Sequence, residues 1–200
     1  MCMRIPLQKL PKVVILGIES SGKSTLYNYL KTGVPGTTTP TKRFSQSSVN
    51  IQAMKSAKPS ILVDPRTGQR LLKLKHADVV SVSRRVSLFD ISGMKAQRER
   101  WIHHLQNVDR IVFVIDSSAP LQPQLTDLKQ VMCHPHSQEA QLIICLNKSD
   151  TGADLKMQIT NYVNEEPVFK QFLNDESLGV VRTNFQTGLG VGEIAQFLCV

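Results

Sequence analysis

Cysteine is scarce. The chain has four in 200 residues, Cys2, Cys133, Cys145 and Cys199, and none forms a Cys-x-x-Cys pair. That spacing supports neither a disulfide-stapled secreted scaffold nor a zinc ribbon, and it fits a reducing, intracellular setting. Cys133, His134 and His136 stand too close together to close a tetrahedral zinc site, and they read, with His103 and His104, as polar loop residues. Long apolar runs are also missing. Stretches such as Ile111 to Ile115 fall far short of the ~20 residues a membrane-spanning helix needs. The opening Met1-Cys2-Met3-Arg4-Ile5-Pro6 lacks the apolar core of a secretory leader. Internal repeats and low-complexity tracts are absent, and 200 residues with 41% hydrophobic content fit one domain spanning 1–200.

Charge is present in excess of one sign, with 24 Lys+Arg against 16 Asp+Glu, a net +8. It is not spread evenly. Residues 42–86 hold Lys42, Arg43, Lys55, Lys58, Arg66, Arg70, Lys73, Lys75, Arg84 and Arg85 against only Asp64 and Asp78, while the rest of the chain balances. Phe44 is the only aromatic in that segment, so the stacking surface of a nucleic-acid binder is lacking and nucleic acid is disfavoured as a partner. The segment reads as a solvated charged face, or as a surface for an acidic protein or an anionic membrane.

Apolar periodicity supplies the fold class. Lys12 to Gly17, Val86 to Asp90, Arg110 to Asp116, Gln141 to Asn147 and, more weakly, Gly179 to Thr183 are short runs suited to buried strands. Between them, helical spacing appears over Lys23 to Lys31, Gln97 to Leu105, Pro123 to Met132, Ala153 to Val163 and Val191 to Leu198. Such alternation predicts an α/β fold: a mainly parallel sheet with helices on both faces, because parallel strands need crossovers. Residues 45–85 break the rhythm. Ile61 to Val63, then Asp64-Pro65-Arg66-Thr67-Gly68, then Arg70 to Leu74 predicts a β-hairpin excursion over approximately 50–82.

Three motifs carry chemistry. Gly17-Ile18-Glu19-Ser20-Ser21-Gly22-Lys23-Ser24-Thr25 satisfies the phosphate-loop pattern GxxxxGK[ST], following a strand and opening a helix. Its backbone N–H groups would wrap a phosphate chain, Lys23 would neutralise its outer charge and Ser24 would hold Mg²⁺. Asn147-Lys148-Ser149-Asp150 follows a strand at the sheet's carboxyl edge, where ligands bind. The Asp150 carboxylate can accept from the N1–H and N2–H₂ of guanine, which adenine does not offer, and Asn147 can reach N7. Asp90-Ile91-Ser92-Gly93 matches Asp-x-x-Gly, a pattern expected by chance in roughly half of such chains, so its weight comes from lying between the other two. There Asp90 can hold a magnesium-bound water and the Gly93 N–H can face a terminal phosphate.

Together these residues resemble the small GTPases, above all the Arf-like branch and the related Gα subunits, over most of the chain. The resemblance implies a P-loop G domain that binds GTP or GDP with Mg²⁺ as a molecular switch, engaging effectors, exchange factors and activating proteins as a monomer. Pro40-Thr41 within Thr37 to Phe44 looks like the Arf switch I, which implies that Thr41 ligates Mg²⁺. Trp101 to His104 with Asn107-Val108 looks like the segment after switch II in Gα. Thr183-Asn184-Phe185-Gln186 sits where the family has its last base-contacting loop, and Phe185 replaces a usual alanine, leaving a backbone contact at Asn184 or Phe185.

The departures are as informative. The family's switch II carries a glutamine that orients the attacking water, and Met94 stands there; a thioether donates nothing and cannot place that water. No catalytic residue is therefore assigned, and intrinsic hydrolysis is expected to be slow. This leaves two uses, a weak GTPase driven by an activator or a binding module whose GTP state is structural; a P-loop ATPase or kinase would leave 147–150 unexplained. Cys2 occupies the place of a myristoylated glycine and Cys199-Val200 is no CaaX box, so the expected setting is the cytoplasm, with membranes reached peripherally.

Overall fold

Val13 to Leu16 are fully buried, as a strand covered on both sides requires. They belong to β1 (Lys12–Gly17), which pairs in parallel with β5 (Val80–Ile91) on one side and β6 (Arg110–Asp116) on the other. β7 (Gln141–Asn147) and β8 (Leu178–Arg182) extend the sheet in parallel beyond β6. β2 (Phe44–Lys55) closes the other edge antiparallel to β5, so the order is β2-β5-β1-β6-β7-β8. This computed structural model describes residues 9–36, 38, 41–55, 60–63, 70–73, 80–149, 155–174 and 177–199.

Side-chain alternation along the parallel strands builds two cores. Val14, Leu16, Phe113, Ile115, Ile144 and Leu146 face α3 (Leu121–Met132) and α4 (Lys156–Glu165). Val13, Ile15, Val112, Val114, Ile143 and Cys145 face α1 (Lys23–Thr32) and α6 (Val191–Cys199). The period of two places each neighbour on the opposite face.

The α/β class with a mostly parallel sheet is as expected, and the differences are local. The segment expected as one helix over 97–105 is a 3-10 stretch, Lys95–Arg100, leading into a short α2 (Trp101–His104). The tighter winding accompanies two anchors: Trp101 Nε1 donates to Ser92 O at 2.8 Å and Arg98 Nε donates to Gly93 O at 3.1 Å. Helix α3 starts at Leu121, two residues before the expected Pro123, because a proline in the first turn removes only an N–H that has no helical partner. A short α5 (Lys170–Asn174) was not expected.

The largest correction concerns the excursion. Residues 44–55 and 80–91 form one long antiparallel pair of the main sheet, with Val49, Ile51 and Ala53 buried on the α6 side. The excursion therefore lies within 56–79 and is narrower than 50–82. Its two predicted strands are β3 (Ser60–Val63) and β4 (Arg70–Lys73), paired antiparallel as a separate two-stranded sheet. The predicted turn at 64–68 and the residues around Cys2 lie outside the described residues.

Candidate functional site

At the carboxyl edge of the sheet, a cleft of about 300 Å³ opens over the start of α1. The chain leaves β1 at Gly17 and winds through Ser20, whose φ of 60° is rare for a side-chain-bearing residue, and Gly22 at φ 100° before α1 begins at Lys23. Gly22 admits no side chain, since a Cβ there would collide with Asn147 Nδ2 and press on the Phe185 ring. Glu19, Ser20, Gly22, Lys23, Ser24 and Thr25 line the cleft, while Ser21 lies beneath it, fully buried.

Lys23 is buried, and its Nζ donates to Ile18 O at 2.6 Å. Burial lowers its pKa to about 8, with Asp90 and Glu19 opposing and Arg98 adding to the fall. A phosphate chain would supply further counter-charge to an ammonium so placed. Beside it, three hard oxygens converge. Ser24 Oγ donates to Asp90 Oδ2 at 2.6 Å, Thr41 Oγ1 donates to the same oxygen at 2.9 Å, and the two hydroxyls lie 2.9 Å apart. Asp90 Oδ1 is buried with no hydrogen-bond partner among the described residues, and burial raises the Asp90 pKa against the opposing hydroxyls and Lys23. This donor set, hydroxyl, hydroxyl and carboxylate with an unused oxygen, fits a small hard cation such as Mg²⁺ and its waters.

Gly93 abuts the phosphate loop so closely that a Cβ would collide with the backbone of Gly17, Ile18 and Glu19. Met94 follows, 38% exposed, lining the cleft at the place where the resemblance implies a glutamine. Gln97, three residues on, is half-buried and is not among the lining residues. Arg98 holds this segment: besides Gly93 O it pairs with Asp127 of α3 at 2.8 Å.

The opposite wall carries Asn147 and Lys148 from the end of β7, with Asn184 and Phe185 beyond β8. Asn147 works first as a brace. Its Nδ2 donates to Ser21 O at 2.8 Å and its Oδ1 accepts from the Phe185 N–H at 3.1 Å, which ties the phosphate loop to the loop after β8. Lys148, held at φ 60°, pairs through Nζ with Asp116 Oδ2 at 2.6 Å. Burial would raise Asp116, but Lys148 and Ser118 outweigh it and hold the carboxyl below its ordinary value.

The Asn184 N–H donates to Leu189 O and the Phe185 N–H donates to Asn147 Oδ1, and both residues, where a backbone contact to a base was expected, line the cleft. The Phe185 ring is 1% exposed and lies in the core under Gly22, which draws its backbone toward Asn147. Pro40 and Asp150 lie outside the described residues. Asp116, Ser92, Thr38 and Gln186 were not anticipated. Asp116 ends an apolar strand, Ser92 sits inside the Asp-x-x-Gly pattern, and Thr38 and Gln186 lie within the two segments that resemble switch I and the last base-contacting loop, so all four were within reach.

The chain is similar to known proteins in sequence and in fold. The model of the ADP-ribosylation factor family matches residues 2–58 and 63–200. The chain is 23% identical over 156 residues to mouse ADP-ribosylation factor-like protein 14, covering 76% of this chain and 66% of that one. It is 25% identical over 116 residues to the guanine nucleotide-binding protein alpha-3 subunit of Neurospora crassa, covering 56% of this chain and 30% of that one. The chain thus spans about a third of the second relative and about two thirds of the first. Among solved structures, the Arl6 BBS3 small GTPase of Trypanosoma brucei with the bound nucleotide analogue GppNp superposes with a TM-score of 0.66. That match has 19% identity and covers 94% of each chain.

Proposed function

The chain belongs to the ADP-ribosylation factor family, and from that premise we propose that it is a guanine-nucleotide switch whose GTP-bound state is long-lived. The observation that carries this reading is the convergence of Ser24, Thr41 and Asp90 beside the buried Lys23. Lys23 would neutralise the outer phosphates, and the N–H groups of residues 19–25 would wrap them. Ser24 and Thr41 would ligate Mg²⁺ directly and Asp90 through a water, with the Gly93 N–H toward the terminal phosphate. Mg²⁺ held there would supply positive charge that offsets the negative charge of the phosphate chain. Asn147, Lys148 and Asp150 would select guanine.

Thr41 precedes β2 and Gly93 follows β5, so with both turned toward the terminal phosphate its loss would release the two segments together. Partners that read nucleotide state would then sit on the segments around 41–44 and 92–104, where the aromatic Phe44 is exposed against His104. The cationic residues of 42–86 would extend that surface toward an acidic protein or an anionic membrane.

Met94 favours persistence over turnover. Without a donor or a strong acceptor in line with the terminal phosphate, the attacking water lacks its positioning group, and intrinsic hydrolysis falls below the roughly 10⁻⁴ s⁻¹ of a glutamine-bearing enzyme without its activator. Nucleotide identity tests the reading itself. Protein denatured after purification should release GTP or GDP, and GTP should displace a labelled guanine nucleotide while ATP does not. Displacement by ATP with equal affinity would refute it.

A further inference from the structure

The amino ends of the parallel strands, opposite the nucleotide cleft, enclose a second and larger basin of about 990 Å³. β1 runs from this basin to the phosphate loop, so the two sites stand about 17 Å apart along the strand. Ser87 is the β5 residue opposite Lys12, so the residues before it extend past the β1 end and carry Arg84 and Arg85 over the basin. Lys9 and Arg110 complete four cations, against the carboxylates of Asp109 and Glu139. Asp109 is already engaged, since its Oδ2 accepts from the Lys12 backbone N–H at 2.7 Å.

Arg110 is the unusual member. Only 5% of it is exposed, yet its Nε has no hydrogen-bond partner among the described residues. Its guanidinium lies 5.9 Å from the centre of the Phe197 ring on α6. Burial, and then the charge of Arg84, act against its ionisation, while Asp109 opposes them. A buried guanidinium with an orphan donor, set beside a second arginine, is costly unless an anion completes it. Two arginines lining one basin suit a tetrahedral oxyanion better than a single carboxylate, because each guanidinium can donate to a pair of oxygens.

We propose that this basin is a phosphate-recognition site, in which Arg84 and Arg110 grip a phosphomonoester and Lys9 and Arg85 supply the outer field. The site is independent of the nucleotide cleft, and its ligand is either a soluble phosphate ester or a lipid headgroup of the same chemistry.

The test uses the full chain with GDP and Mg²⁺ in excess, so that the phosphate loop is occupied. Inorganic phosphate should raise the thermal midpoint above that in chloride of equal ionic strength, and Arg84→Gln should weaken phosphate binding by about tenfold or more. Arg110→Met should abolish the response while leaving the unliganded protein at least as stable; should that variant fail to fold, Arg84→Gln carries the test on a half-exposed position. Sedimentation with phosphatidylcholine vesicles, with and without phosphatidic acid, separates the two sources. Recruitment that requires phosphatidic acid and is competed by free phosphate assigns a headgroup, and phosphate binding without recruitment assigns a soluble ester. A wild-type chain that responds to neither, or variants that bind phosphate as tightly as wild type, overturns the proposal.

Discussion

Single residues decide how closely the loops of the cleft approach one another. Gly93 lies against the backbone of Gly17 to Glu19 with no room for a methyl group, so Gly93→Ala must push the two loops apart. Affinity for GTP should then fall by more than affinity for GDP, a difference read by competition binding, and equal losses would remove Gly93 from contact with the terminal phosphate. Phe185 shows how much the sequence conceals at this scale. Reading it as a replaced alanine in a base-contacting loop located the residue, but nothing in the pattern revealed that its ring enters the core beneath Gly22. Phe185→Ala should therefore cost about 3–5 kcal/mol in a denaturant titration, with a loss of nucleotide affinity as Gly22 and Asn147 lose their support. A stability change below about 1 kcal/mol would show that the site had collapsed around the gap. The phosphate loop was legible because a fixed spacing of glycines and Lys-Ser follows from the geometry of wrapping a phosphate. The role of Asn147 as a brace was not, since its partners Ser21 and Phe185 are distant in sequence.

Among the elements, the parallel strands were the most legible, because burial on both faces leaves unbroken apolar runs. β2 was hidden for the opposite reason. Phe44 to Lys55 lies at the sheet edge and carries serine, asparagine and glutamine on its outer face, so only the alternation of Val49, Ile51 and Ala53 marks it. The segment after β5 owes its shape to side-chain anchors that no local propensity encodes. Arg98 fastens Gly93 to Asp127 on α3, and Asp127→Asn should loosen that fastening. Amide exchange across 93–100 should quicken while α3 itself is unchanged, and unchanged exchange would show that Trp101 holds the segment alone. At the start of β2, Phe44 packs on His104 with ring centres 5.2 Å apart. Burial, followed by the charges of Lys12 and His103, lowers the His104 pKa. Between that lowered value and the ordinary ~6.5, the unfolded chain binds more protons than the folded one, so stability is full above about pH 6.5 and declines as pH falls through the window. Thermal midpoints should drop on acidification in wild type and drop less in His104→Phe, which keeps the ring contact.

For the whole molecule, the net +8 conveys little until it is placed. The sheet puts a metal-type oxygen set and a buried ammonium at its carboxyl edge and a cationic basin at its amino edge, with β5 reaching both through Asp90 and Arg84. The cationic segment 42–86 thus belongs in part to the sheet itself, which its composition alone did not reveal. On the proposed reading the cleft holds GTP, and Met94 stands where a water-positioning glutamine is expected. Single-turnover hydrolysis of GTP preloaded with Mg²⁺, followed in wild type and Met94→Gln side by side without any partner, tests this most directly. Wild type should retain its GTP at a rate below roughly 10⁻⁴ s⁻¹, with Met94→Gln faster; hydrolysis by wild type at or above that rate, unchanged by the substitution, would contradict it.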